Sequence, residues 1–305
     1  VNSHDVGVMR WSKREVFVHS ENHQPEYSGT LYIVATPIGN LDDMSPRAAT
    51  ILSRVSVIAA EDTRHSGRLM QHLGISKPMM ALHDHNERDK VGQVLDRLAA
   101  SQDVALISDA GTPLISDPGY VLVREARLRG FRVSPVPGAC ALVSALSAAG
   151  LPTDRFLFEG FLPAKRGARK AALERLARET ATLVFYESPH RIVDAVRDIE
   201  LVMGSERELV LARELTKAFE TFYAGAARSV AEALEADPHG SRGEFVVMVH
   251  GASDAETAVG SIEVDRVLSL LLRELPVKKA AKLAADLTGS SKNELYQRAL
   301  ELKAE

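Results

Sequence analysis

Short, unbroken apolar runs recur along the first half of the chain, each closed by a cluster of turn-forming residues. The runs are 31–35 (LYIVA), 55–60 (VSVIAA) and 104–107 (VALI), and another strand is predicted around 132–136 (RVSPV). A strand covered on both faces is apolar at nearly every position, so these runs predict buried strands of a mainly parallel sheet. Residues 64–73, 88–100 and 118–129 are amphipathic and predict helices between or after them. Ser45-Pro46 predicts another helix start, with proline in the first turn. Strands alternating with helices predict an α/β domain over 29–150, ending in a small-residue helix at 139–150.

A second set follows, with strands predicted at 155–162, 181–186, 209–212 and 244–250 and helices at 166–179 and 189–203. It defines a second α/β domain over 151–251. A polar linker at 252–261 leads to a small helical domain at 262–305. There, 264–275, 277–287 and 292–302 read as three helices, the last two joined by Thr288-Gly289-Ser290-Ser291 in a helix-turn-helix-like tail. Residues 1–28 are polar and predict a disordered N-terminal tail without the apolar centre of a signal peptide.

Composition narrows the class. With 45% hydrophobic and 26% charged residues the 305-residue chain reads as globular. No apolar run approaches the ~20 residues of a membrane span, so no membrane partner and a cytoplasmic location are expected. The single cysteine, Cys140, excludes an internal disulfide framework and a multi-cysteine metal site. A net charge of −4 advertises no global attraction to nucleic acid, so any RNA contact must be local.

Ligands of parallel sheets bind beyond the carboxyl ends of the strands. The loops there hold neither the G-x-G-x-x-G dinucleotide fingerprint nor the P-loop pattern. They are small-residue and proline-rich instead: 36–40 (TPIGN), 108–113 (SDAGTP), 116–119 (SDPG) and 136–139 (VPGA). Each alone is an ordinary tight turn. Several on one sheet edge form a ligand cradle, because glycine and alanine let backbone approach a ligand and proline stiffens it.

Seven segments taken in order carry a family resemblance: 31–41 (LYIVATPIGNL), 59–65 (AAEDTRH), 82–87 (LHDHNE), 107–119 (ISDAGTPLISDPG), 185–191 (FYESPHR), 212–217 (ARELTK) and 292–296 (KNELY). Together they resemble the family of small-subunit ribosomal RNA 2′-O-ribose methyltransferases within the tetrapyrrole methylase superfamily. The resemblance runs from Leu31 to Leu302. It implies two α/β domains of the tetrapyrrole methylase type with a cofactor cleft between them, plus a small C-terminal helical domain. It also implies S-adenosylmethionine as cofactor, a homodimer, and a decoding-centre cytidine of 16S rRNA in the 30S subunit as target. Carried over by position, Pro37, Ser108, Asp109, Ala110, Gly111, Thr112, Ile115 and Ser116 should line the cofactor. Pro137, Gly138, Ala139, Tyr186, Gly243 and Glu244 should join them.

A ribose hydroxyl needs somewhere to send its proton. The loop Glu61-Asp62-Thr63-Arg64 offers two carboxylates and a guanidinium. Asp62 or Glu61 is the expected base with Lys217 as the contender, so Glu61, Asp62, Arg64 and Lys217 form the catalytic set. His83 and His85 beside Asp84 lack any further ligand pattern, and no metal is expected. For RNA, the helix after Pro163 offers Lys165, Arg166, Arg169 and Lys170, and the tail offers Lys278, Lys279 and Lys292. Two rivals stand beside this reading: a methylase acting on a tetrapyrrole or a modified histidine, and a non-catalytic RNA-binding assembly factor.

Overall fold

The computed structural model describes residues 28–83, 86–253, 260–288 and 291–304. The expected tail, apart from Ser28, lies outside them, as do His85, most of the expected linker and the Gly289-Ser290 turn. The chain divides into two compact units that interleave along the sequence. One holds the described residues up to Ala148 with Ala212–Phe222 and Gly243–Val246; the other holds Ala149–Leu211, Tyr223–Arg242 and the chain from Val247. The segment that carries Lys217 therefore groups with the first unit, although it lies within the stretch read as the second domain.

The first sheet contains β1 (Thr30–Val34), β2 (Val57–Ala60), β3 (Met79–Ala81), β4 (Val104–Ile107) and β5 (Arg132–Val136). Its order is β3-β2-β4-β1-β5, and its neighbours pair in parallel. The central strands β2 and β4 are buried at every residue, which is why their sequences never alternate in polarity. Alternation survives as a choice of face. Val57, Ala59, Val104 and Leu106 feed one core, with Val94, Leu95 and Leu98 of α3 (Glu87–Ala99) and Leu122 of α4 (Tyr120–Leu128). Ile58, Ala60, Ala105 and Ile107 feed the other, with Leu52 of α1 (Pro46–Arg54) and Met70 of α2 (Thr63–His72). The helix predicted at Ser45-Pro46 forms: Ser45 Oγ accepts from the Ala48 amide at 3.1 Å, a cap worth about 1 kcal/mol. The expected strand at 55–60 starts later, because Val55 ends α1 as its C-cap.

After α5 (Ala141–Ala149), the second sheet contains β6 (Phe156–Phe161), β7 (Thr182–Glu187), β8 (Glu208–Arg213), β9 (Thr221–Ala226) and β10 (Phe245–Val249), in the order β6-β7-β10-β8-β9. The helices are α6 (Arg166–Leu176), α7 (Ile192–Met203) and α8 (Ala227–Ala236). Sequence reading missed β3, β9 and α8. The first two are sheet edges whose residues are only half-buried, so neither an apolar run nor a clean alternation marks them. The three C-terminal helices, α9 (Gly260–Glu274), α10 (Val277–Thr288) and α11 (Lys292–Ala304), close on Leu268, Ala281, Ala284, Leu295 and Ala299. Arg298 also bonds Asp265, with Nη2 to Oδ2 at 2.6 Å, tying α11 to α9. No helix among the described residues is long and apolar enough to cross a membrane.

Candidate functional site

The loops that follow β1 and β4 are joined by backbone, and a side chain ties in the loop after β5. Thr36 and Gly111 exchange both amide hydrogen bonds, at 2.9 and 3.1 Å, as an isolated antiparallel bridge. Thr36 Oγ1 donates to the carbonyls of Ser108 at 3.3 Å and Gly111 at 3.4 Å. Thr112 Oγ1 donates to the Ala139 carbonyl at 3.0 Å, bringing in the loop after β5. Gly111 has φ +81°, and a Cβ there would lie 3.2 Å from Ile38 Cγ2. Only glycine takes that conformation without strain. Leu114 and Ser116 also sit at positive φ, 73° and 67°, each costing about 1–3 kcal/mol. Such strain clusters at ligand-clamping loops.

The predicted cofactor residues of the first unit are thus brought together along one sheet edge. Pro37, Ser108 and Gly111 are buried; Asp109, Thr112, Ile115 and Ala139 are half-buried. Ala110, Ser116, Pro137 and Gly138 are exposed and present backbone with little side chain. Thr36 was missed as a functional residue. Its signal was available, since a threonine directly after an apolar strand can return its hydroxyl to neighbouring carbonyls.

The loop after β2 is clasped to the loop after β4. The Asp62 amide donates to Asp109 Oδ1 at 3.1 Å, and the Asp109 amide donates to Glu61 Oε2 at 3.5 Å. The Asp62 carboxylate is occupied differently. It caps α2 through the Arg64 amide at 2.8 Å and pairs with Arg64 Nη2 at 3.0 Å. The Arg64 side-chain hydrogen bond, then its amide, hold the Asp62 carboxyl at about 2. So acidic a group is a weak proton acceptor at neutral pH.

Lys217 occupies a tighter setting. Its Nζ donates to Glu214 Oε1 and to Glu244 Oε2, both at 2.8 Å. Glu214 Oε1 also accepts from the Glu244 amide at 3.0 Å. A Cβ on Gly243 would lie 2.5 Å from Glu214 Cγ, and one on Gly39 would lie 2.5 Å from Lys217 Cγ. The lysine stem therefore crosses the loop after β1, within the same unit. Partial burial works against the charge on Lys217, but its hydrogen bonds to Glu214 and then Glu244 outweigh it and raise the pKa. Lys217 is thus a fixed cation, unsuited to remove a proton. Glu214 is the anchor of this arrangement.

In the second unit, Tyr186 packs edge-on against Phe158 and Phe161, with ring centroids 4.9 and 5.9 Å apart. Glu187, fully buried, pairs with Arg191 at 3.0 Å. Arg169 departs from the RNA-facing role expected of it. Its side chain is 2% exposed and its Nη2 lies 2.7 Å from Asp198 Oδ2, itself 1% exposed. At its place in α6 it points into the protein, where its guanidinium neutralises a buried carboxylate. Lys165 and Arg166 are exposed, Lys170 is half-buried, and Arg166 shares Asp198 at 3.0 Å. Lys278, Lys279 and Lys292 are exposed on α10 and α11. Among the described residues no group of three or more His, Cys, Asp or Glu side chains is placed to hold a metal ion.

Comparison with known proteins adds to this geometry. Residues 30–231 match the family model described as Tetrapyrrole (Corrin/Porphyrin) Methylases, and residues 258–303 match that described as RsmI C-terminal HTH domain. Over 276 residues the chain is 56% identical to a Pseudomonas aeruginosa protein named Ribosomal RNA small subunit methyltransferase I, covering 90% of this chain and 98% of that one. The Escherichia coli O157:H7 protein of the same name is 52% identical, with 90% and 95% covered. Among solved structures, the methyltransferase CobJ superposes with TM-score 0.55 at 19% identity, covering 74% of this chain and 95% of that one. A uroporphyrin-III C-methyl transferase from Thermus thermophilus, complexed with S-adenyl homocysteine, gives 0.50 at 18% identity, with 73% and 97% covered. At such identities these two speak for the fold: two α/β domains of the tetrapyrrole methylase type, here followed by a small helical domain. The chain belongs to the ribosomal RNA small subunit methyltransferase I family of the tetrapyrrole methylases.

Proposed function

We propose that this protein, as a homodimer, transfers a methyl group from S-adenosylmethionine to the ribose 2′-hydroxyl of a decoding-centre cytidine in 16S rRNA, within the 30S subunit. The observation that carries the reading is the hydrogen-bonded edge of Thr36, Ser108–Thr112 and Ala139 in a chain 56% identical to a protein named Ribosomal RNA small subunit methyltransferase I. The fit to an adenosine-bearing cofactor rests on this edge. Ala110, Gly111, Gly138 and Ala139 leave room for backbone to approach a purine and ribose, and Pro37, Pro113 and Pro137 stiffen it. When bound, the cofactor supplies an electrophilic methyl on a sulfonium. Pro37, Ser108, Asp109, Thr112, Ile115 and Ser116 complete the cradle in the first unit, and Gly243 and Glu244 of the same unit join it from just before β10.

The remaining residues act on the hydroxyl. Transfer is an in-line displacement, so orientation of the nucleophile dominates its rate. Glu61 receives the hydroxyl proton. Asp62, held acidic by Arg64, fixes the loop that presents Glu61. Lys217 supplies a permanent positive charge for the oxygen as it becomes anionic. Lys165, Arg166 and Lys170, with Lys278, Lys279 and Lys292, meet the RNA phosphates.

The test is direct. Purified protein is supplied with the methyl donor and unmethylated 30S subunits, and the rRNA nucleosides are resolved by mass spectrometry. A single 2′-O-methylcytidine is expected. Methylation of a porphyrinoid substrate in its place would overturn the proposal.

A further inference from the structure

Glu214 has no part in the reaction described so far, yet its carboxylate is held at two points, by the Glu244 amide and by Lys217. Directly after β8 the backbone turns left-handed at Glu214 (φ 52°) and again at Thr216 (φ 65°). A β-branched residue rarely adopts that conformation. The Glu214 amide donates to the Glu244 carbonyl at 3.0 Å while its Oε1 accepts the Glu244 amide at 3.0 Å. The same oxygen accepts Lys217 Nζ at 2.8 Å. Space for this side chain exists because residue 243 is glycine, and the lysine stem is confined on its other side by Gly39. One carboxylate thus sets both the start of β10 and the position of an ammonium against the loop after β1.

We propose that Glu214 is the positioning residue for Lys217, holding its ammonium in place and charged for the methyl transfer. This rests on the reading of Lys217 given above. The second carboxylate, Glu244, has a side chain 76% exposed, whereas that of Glu214 is 19% exposed. Solvent screens the exposed pair more strongly, so Glu214 dominates the lock. The charged groups around the pair are Arg213 at the end of β8, Glu244 just before β10, and Glu220, which accepts the Thr216 amide at 2.7 Å. With Glu214 and Glu244 both accepting its ammonium, the lysine stays protonated through neutral pH.

The experiment compares Glu214→Gln with Lys217→Ala and wild type, measuring kcat, cofactor Kd and the pH dependence of kcat on 30S subunits. Gln keeps an acceptor for the Glu244 amide but removes the charge. The expected result is a kcat lowered about tenfold or more, cofactor Kd within twofold, and an alkaline limb displaced to lower pH. The sign follows from the lock: without the carboxylate the Lys217 pKa falls, so the lysine loses its proton earlier. A purely structural role would lower the melting temperature and leave the alkaline limb in place. Gly39→Ala supplies a second route should Glu214→Gln fold poorly, since its Cβ displaces the lysine stem and should move the limb in the same direction. An inactive Lys217→Ala beside a Glu214→Gln with wild-type kcat and pH limb overturns the positioning role. Full activity in Lys217→Ala overturns instead the underlying reading of Lys217.

Discussion

Arg169→Ala separates two roles that basic residues of one helix share in the sequence. Arg169 Nε and Nη2 meet Asp198 Oδ2 at 2.9 and 2.7 Å, with both side chains almost wholly buried. Removing one partner of a buried pair leaves the other charge uncompensated, at a cost of about 3–5 kcal/mol. Arg166 Nε still reaches Asp198 Oδ1 at 3.0 Å from a side chain 69% exposed. That residual contact places the expected loss near the lower end, about 3 kcal/mol. At roughly 2 °C per kcal/mol, the value for the largest domains of about 150–250 residues, the melting midpoint should fall by about 6 °C or somewhat less. The comparison is Lys165→Ala with Lys170→Ala, expected to change stability by no more than about 0.5 kcal/mol. That double variant should bind 30S subunits more weakly. It should also flatten the slope of log affinity against log salt by up to about 1.4, at roughly 0.7 per phosphate contact. Melting by calorimetry and binding across a salt series measure both effects. An Arg169→Ala protein that melts with wild type while flattening the salt slope would refute the structural role given to this arginine.

Three shorter predictions concern the first unit. Gly111→Val forces a branched side chain into a left-handed position beside Ile38, and should weaken calorimetric cofactor affinity at least tenfold, or about 1.4 kcal/mol. Glu61→Gln should lower turnover by about 10²–10⁴-fold with cofactor affinity retained, as for a lost general base; a wild-type rate would place the proton acceptor elsewhere. Asp62→Asn should flatten the acid limb of stability. The folded carboxyl sits at about 2, below its ordinary 3.8, so its contribution is complete above about 4 and lost as pH falls toward 2. Melting temperatures across that window, unchanged by the substitution, would contradict the Arg64 assignment.

How legible each feature was depends on what its residues signal alone. β2 and β4 were readable because burial on both faces demands apolar side chains at every position, and 57–60 (VIAA) and 104–107 (VALI) supply them. The helix start at Ser45-Pro46 was readable because capping is local chemistry. β3 was not: three half-buried residues on an edge carry no period, and their strand exists because β2 offers them a partner. The grouping of 212–222 with the first unit was hidden for a related reason, since interleaving is a property of contacts between distant segments.

Charged residues show the same limit more sharply, because a residue type names a capacity while its neighbours fix the state. Arg169 and Lys170 are adjacent in sequence, yet one is 2% exposed against Asp198 and the other reaches solvent. No helical pattern foretold that Asp198, 29 residues on, would be waiting for the first. Asp62 and Lys217 both entered as proton acceptors on residue type alone. Arg64 makes the first too acidic, and two carboxylates make the second too firmly protonated. Their partners turn two possible bases into a loop fastener and a fixed charge. The assignment of the proton to Glu61 follows from that exclusion, and it is the turnover of Glu61→Gln that decides it.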